Sequence, residues 1–225
     1  MNSTVKSRKP RRTSAKAQRT QLLDAASEML ATGGSDALSV RKLATAVGTS
    51  TMAIYTAFGG KEGLIAALYE EAFERMAIMQ ESVPQPKNAL EWLGGLGAAH
   101  RQFALEYPAY YALMISATLP LSQLHPTGKA PVARGIASQR AYMSLHESVS
   151  TCQEAGLIDP SVETDDLTSM FWATVHGHVS LELAGFHETT EEAARLFVLL
   201  TRNVVSGVLT PKGRKVWSSF APNEG

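Results

Sequence analysis

The chain has 225 residues, enough for one large domain or for a small domain joined to a larger one. Hydrophobic residues make up 44% and charged residues 19%, the ordinary globular range, and no run of 18 apolar residues is present to span a bilayer. The formal net charge is zero, but residues 1–65 hold ten Lys/Arg against four acids, while the remainder holds 11 against 17. A basic head on an acidic body suits a polyanion at one end of the molecule only.

In chain order, MNSTVKSRKPRRTSAKAQRT is basic but is followed by no apolar segment, so it is not a secretory signal and residues 1–14 read as a flexible arm. Leu22/Leu23, Ala26 and Met29/Leu30 keep the three-four spacing of an amphipathic helix over about Ser14 to Thr32, closed by Gly33 and Gly34. A short helix is predicted over Ser39 to Val47, with Ser39 as N-cap and Gly48 as the left-handed stop. A second short helix follows over Ser50 to Ala57, and a long one over Lys61 to Gln80, ended by the prolines of SVPQPKN, residues 82–88. Asn88 with Glu91 resembles a capping box for a helix to about Leu105, and a shorter helix is predicted over Pro108 to Thr118. LHPTGKAP, residues 124–131, reads as the longest loop. Helices over Val132 to Ala155, over Asp159 (N-cap) and Pro160 to Ala184, and over Thr189 to Ser206 complete the pattern. No alternating strand pattern and no repeat is visible, so the expected fold is all-α with about nine helices. Its expected parts are the arm, a head over 15–65, a body over 66–210 and a C-terminal tail over 211–225.

Residues 39–58 fit a helix-turn-helix, two short helices joined by a tight glycine-containing turn. Ala44 is small where the helices cross, Gly48 turns the chain, and Leu43, Val47 and Ile54 are expected to point inward. An eight-residue helix is unstable alone, because isolated helices below ~12 residues are marginal. It must be held by its neighbours, and the arrangement lets such a helix enter a DNA major groove while the helix before it crosses the backbone. Phe58 is expected to plug the junction with the long helix.

LSVRKLATAVGTSTMAIYTAF, followed by two glycines and KEGL, resembles the DNA-binding domain of the tetracycline-repressor (TetR) family; with Leu22, Ala25, Ala26, Leu30 and the glycine pair before it, the match covers about residues 18–65. The resemblance implies a homodimeric repressor that releases its operator on binding a small molecule. It implies that Tyr55 and Lys61 hold phosphates, with Ser39 doing so at a helix N-terminus, and that Arg41 reads a guanine. Ser50, Thr51, Met52, Ala53 and Thr56 complete the expected DNA-contact set, Met52 being suited to a thymine methyl. Thr49, Thr56 and Ala57 depart from the family pattern, which leaves a thin recognition surface and gives phosphates and the arm a larger share of the affinity.

In the body, FWATVHGHVSLELAGF, residues 171–186, resembles the C-terminal domain of a TetR subgroup with a Trp-His-Gly signature, here Trp172, His176 and Gly177. Trp172, His176, Val179 and Leu183 share one helical face, expected to look inward. Ala173, Gly177, Ser180 and Ala184, with Ser169, share a small-residue face that allows close helix approach. That face is assigned to dimer packing, together with Leu196, Leu200, Asn203 and Gly207 of the last helix. His100, Phe103, Tyr107, Tyr111, Met114, Met143 and His146, with Trp172 and His176, are the candidate lining of a pocket for an apolar effector; Met and aromatic stripes at this spacing also make ordinary core.

Enzymatic and metal motifs are missing. His176 and His178 are two apart and diverge on a helix. HETTE, residues 187–191, lacks the second histidine of a zinc-hydrolase helix, and GGLGAAH, residues 94–100, follows no strand. The lone Cys152 can make no internal disulfide and falls in line with Tyr142, Leu145 and Val149 as a packing thiol; a reducing cytoplasm is the expected home. No metal, cofactor or membrane is expected, and the expected partners are duplex DNA, a second copy and a small-molecule effector. The alternatives are a DNA-binding dimer with no effector and, further off, an all-helical enzyme localised by its basic head.

Overall fold

Ten helices make up the part of the chain that the computed structural model describes, residues 15–85, 88–115 and 136–220. They are α1 (Ala15–Ala37), α2 (Val40–Val47), α3 (Thr51–Phe58), α4 (Lys61–Glu81), α5 (Ala89–Glu106), α6 (Pro108–Ile115), α7 (Ile136–Glu154), α8 (Thr164–Leu183), α9 (Thr190–Gly207) and α10 (Pro211–Phe220). Among the described residues there is no strand beyond an isolated bridge between Ile158 and Leu209, and no helix is long and apolar enough to cross a membrane. The arm and the 124–131 loop lie outside the described residues.

The local stops fall where glycine chemistry places them. Gly48 takes φ 71° and its chain crosses back to the α2 carbonyls, Thr49 N–H donating to Ala44 O at 2.9 Å. At Gly34 the backbone turns to φ 66°, so the α1 helix is broken there and its last residues form a separate turn. Thr189 caps α9 through Glu192 N–H at 3.1 Å, whereas Asn88 caps α5 through Leu90 N–H at 3.0 Å and not through Glu91. Asp159 does not open α8: its carboxylate accepts from Ser161 N–H in a tight turn, and Glu163 stands before the first helical residue. Residues 211–220, expected as tail, form α10, whose Val216 and Trp217 pack on the far end of the body.

Two apolar clusters build the interior. The first runs unbroken from Leu22, Leu43, Ile54 and Phe58 of the head through Leu68 and Met76 of α4 to Phe103, Tyr111 and Val179 of the body. The expected head–body border at 65/66 therefore falls inside a helix whose core side serves both parts. The second cluster joins Leu90, Leu145, Val149, Cys152, Phe171 and Leu209 at the other end, and Trp172 packs against both. Cys152 is buried and its thiol is pushed up to about 12 by burial, in keeping with a packing role.

Polar links cross these elements. Arg75 of α4 donates to Asp24 of α1 at 2.8 Å and to Glu71 at 2.9 Å, and its guanidinium lies over the rings of Tyr107 and Tyr110 at 5.0 and 4.4 Å. Tyr110 adds its own hydrogen bond to Asp24 at 2.9 Å. In the body core the Tyr111 hydroxyl lies 3.2 Å from His100 Nε2 and 2.6 Å from His176 Nδ1, so one hydroxyl bridges two neutral imidazoles. Burial first, and the neighbouring His176 second, push His100 down to about 3; burial also lowers His176.

Two expectations follow. A Cβ at Gly63 would meet the Phe58 carbonyl oxygen at 1.7 Å, so the first turn of α4 sits directly on the end of α3. Gly63→Ala should destabilise the chain by about 1–3 kcal/mol or more in urea unfolding, opposite in sign to the ordinary gain from replacing a helical glycine. The histidines give an acid limb. A folded pKa below the unfolded value near 6.5 means that stability is whole above about pH 6.5 and falls as the unfolded state alone takes up protons, for His100 down to its folded value of about 3. Each such group steepens the fall by up to about 1.4 kcal/mol per pH unit. His100→Gln should make the fall shallower by that slope, read by urea midpoints between pH 4.5 and 7.

Candidate nucleic-acid interface and the cavity of the body

The helix-turn-helix holds α3 by one face and leaves the other bare. Ile54 and Phe58 are buried, and the Arg19 guanidinium of α1 covers the Phe58 ring at 5.3 Å. Ser50 Oγ accepts from Ala53 N–H at 3.1 Å and secures the first turn. On the open face Met52 is 72% exposed and Tyr55 53%, values far outside what a core role allows, and Thr51 and Thr56 are exposed beside them. Ala53 is half-buried, and the Thr56 hydroxyl donates to Met52 O at 2.9 Å.

The neighbours of α3 are placed for a charged partner. Arg41 and Lys42 are exposed in the first turn of α2, whose N-cap Ser39 makes no side-chain capping bond, so its hydroxyl is not spent on the helix end. Lys61 is exposed at the start of α4. The turn from α3 to α4 depends on Gly60 at φ 125°, where a Cβ would press on the Tyr55 ring at 3.3 Å. Thr49, unusual for the family pattern, has a local explanation: its hydroxyl accepts from Gln18 Nε2 of α1 at 3.2 Å and ties the turn to the first helix.

The body contains a narrow cavity of about 70 Å³ at the seam between the two apolar clusters, walled by α4, α5, α7, α8, α9 and α10. Drug-sized ligand sites run to several hundred Å³, so occupation by such a molecule requires this one to widen. Of the residues proposed to line a pocket, His100 and Trp172 do so, their rings meeting edge to face at 4.9 Å. The others do not. Phe103 and Tyr111 belong to the packed core beside it, His176 is half-buried and held by the Tyr111 hydroxyl, and Met114 is packed against the first cluster. Tyr107 is taken up by Arg75. Met143 is 52% exposed and His146 meets Asp165 at 3.4 Å on the surface, because α7 turns Ala141, Leu145, Val149 and Cys152 inward instead.

Much of the wall was not foreseen: Leu93 and Gly97 of α5, Phe171 and Val175 of α8, Phe197 and Val205 of α9, Trp217 of α10 and Gln80 in the last turn of α4. No pattern along a chain shows where a core is left incomplete. Gln80 differs from the rest. It is 2% exposed, and its amide oxygen has no hydrogen-bond partner.

The outer face of α8 and α9 is also apolar. Ala173, Gly177 and Ala184 are exposed there with Leu181, Val198, Leu199, Leu200 and Asn203, while Ser180 and Leu196 are half-buried. Leu183, expected inward, is 39% exposed. Among the described residues no group of His, Cys, Asp and Glu is arranged to hold a metal.

The head and body match two family models. Residues 22–68 match the one described as bacterial regulatory proteins, tetR family, and residues 93–204 the one described as tetracyclin repressor-like, C-terminal domain. No curated protein matches the chain significantly. Solved structures of the same fold include a protein of unknown function from Rhodococcus sp. RHA1, 24% identical with a TM-score of 0.72, covering 90% of this chain and 100% of that one. The TetR family transcriptional regulator PfmR from Thermus thermophilus is 18% identical at a TM-score of 0.64, over 82% and 97% of the two chains. The transcriptional regulator FadR from Bacillus subtilis, solved with stearoyl-CoA, is 18% identical at 0.68, over 84% and 98%. With both of its parts matched to models of one family, over more than two thirds of its length, the chain belongs to the TetR family of bacterial regulatory proteins.

Proposed function

We propose that the protein is a DNA-binding transcriptional regulator of the cytoplasm that acts as a homodimer, a repressor released from its operator by a small apolar or aromatic molecule. The bare face of α3, with Met52 at 72% exposure on a helix anchored by Ile54 and Phe58, is the observation that carries it. Thr51, Met52, Ala53 and Thr56 meet base edges, and Arg41 reads a guanine from the start of α2. Ser39, Ser50, Tyr55 and Lys61 hold phosphates and set the register. The apolar outer face of α8 and α9 is large enough in side chains to call for a cover, and a second copy supplies it through Ala173, Gly177, Ser180, Ala184, Leu196, Leu200 and Asn203. Trp172, His176 and Gly177 support a body of the Trp-His-Gly subgroup. Two heads then address half-sites about one DNA turn apart, ~34 Å, or a multiple of it.

The effector acts on α4. A molecule that enters the narrow cavity binds the widened body better than the closed one, and only that difference can move the equilibrium. The widening displaces the end of α4, and the Arg75 links carry the displacement to α1 and the head. The Bacillus subtilis FadR complex with stearoyl-CoA supports a small-molecule role for this fold. The narrowness of the cavity favours a second reading, a regulator with no effector. Melting the chain against mixed apolar metabolites separates the two, since a ligand at 100 times its dissociation constant adds ~2.7 kcal/mol.

On a duplex selected from a random pool, Arg41→Ala should lose about 1–3 kcal/mol of discrimination at one base pair, read by competition binding. Lys61→Ala should weaken all sequences alike and reduce the salt slope by about one. Identical behaviour of the two variants would overturn the division between base reader and phosphate clamp. Ala173→Arg should give monomers in sedimentation at micromolar concentration and lose the cooperative binding of paired half-sites; a variant that stays dimeric would move the interface elsewhere.

A further inference from the structure

Among the described residues, two buried side-chain polar atoms lack any hydrogen-bond partner, Gln80 Oε1 and His187 Nε2, and the first stands in the wall of the cavity. An amide oxygen left unpaired in the interior keeps its full desolvation penalty, and a methionine or leucine would fill the same place without it. The geometry points to Gln80 as the polar anchor of the cavity, a site for an uncharged, compact apolar molecule, one ring or a short chain, carrying a single hydroxyl-type group that bonds the amide.

The rest of the wall sets the limits of that ligand. Among the described residues, no Asp, Glu, Lys or Arg lines the cavity. His100, the nearest thing to a charge, is held neutral by burial, and its Nε2 already faces the Tyr111 hydroxyl. The hydroxyls of Thr174 and Thr201 donate to their own helices, at 2.7 Å to Met170 O and 2.8 Å to Phe197 O. An ion buried here would lose its water and gain no opposite charge, a penalty no apolar contact repays. A hydroxyl both donates and accepts, so it satisfies the amide in either orientation. The remaining wall, Leu96, Phe171, Val175, Phe197 and Trp217 among others, is hydrocarbon and ring. The volume, about 70 Å³, holds a molecule of one ring only after modest widening.

Position gives the anchor its consequence. Gln80 lies in the final turn of the helix that starts at Lys61, directly after α3, so a bond to its amide pulls on the element that carries the head. This consequence rests on the effector reading proposed above; the anchor itself does not.

The test uses the full chain and three probes of one size: p-cresol, toluene and the benzoate anion. Dissociation constants are measured by calorimetry at neutral pH for the wild type, Gln80→Met and Gln80→Leu. The expected result is that p-cresol and toluene bind the wild type and benzoate binds at least about tenfold more weakly than p-cresol. Either substitution should shift the preference between p-cresol and toluene by roughly tenfold or more toward toluene, because the hydroxyl then lies buried without a partner. Both variants should melt no lower than the wild type without ligand. A preference unchanged by both substitutions, benzoate bound as tightly as p-cresol, or no binding of any probe overturns the anchor. DNA binding is read in the same samples. If p-cresol binds through Gln80 and leaves the affinity for the selected duplex unchanged, the anchor stands and the effector reading fails; a response of DNA binding to p-cresol that survives Gln80→Met does the reverse.

Discussion

Head and body are joined through α4, and one guanidinium in the second half of that helix ties it to its neighbours. Arg75 is the point at which four elements meet electrostatically: its own helix through Glu71, α1 through Asp24, and α6 and the turn before it through the faces of Tyr107 and Tyr110. A planar cation with a fork of donors is suited to this, since it can satisfy two carboxylates in its plane while its faces rest on rings. The side chain is only 17% exposed, so the attractions act in a medium of lower dielectric than water and are less screened by salt than a surface pair. Because the apolar core also runs unbroken from α1 to the body, the head is not a bead on a string. A shift of the lower half of α4 must be answered by the head or by Arg75.

That constraint explains the economy of the helix-turn-helix. An eight-residue α3 has too few internal hydrogen bonds to persist alone. It is fixed instead by a cap at Ser50, two buried anchors and a carbonyl pressed against Gly63. Each fastening uses the inner face or the ends. The outer face is left with an exposed methionine and tyrosine side by side with Thr51 and Thr56, free to meet a partner while the inner face holds the helix.

The body balances two demands in the same way. It needs a packed interior to hold α4, and a place that a ligand can disturb. The seam between two clusters meets both, because neither cluster is opened when the volume between them grows. Trp172 belongs to both sides of the seam, and His100 packs edge-on against it. The polar chain from His100 through Tyr111 to His176 fixes the ring positions on the head side of the cavity, whereas Gln80 enters from α4 with its oxygen unspent.

What could be read along the chain was what depends on near neighbours. Gly48 as the stop of α2, the N-cap positions Ser39 and Thr189, and the inward Leu43 and Ile54 follow from local sterics and helical period, with Val47 only half-buried, so the order of helices and the display of α3 were legible along the chain. The misplacements share one cause. Asp159-Pro160 looked like a helix start, but the carboxylate found Ser161 sooner; residues 211–220 looked like a tail because their short apolar set has meaning only against the second cluster. Met143 and His146 sit on the right helix and its wrong face, since period alone gives a helix its stripes and not its rotation about the axis. Only the packed structure decided which core residues stop short of one another to leave a cavity, and that Gln80, unremarked in a run of apolar and charged neighbours, is the group facing the gap. Those outcomes depend on six helices arriving together, a sum of distant contacts that no local spacing records.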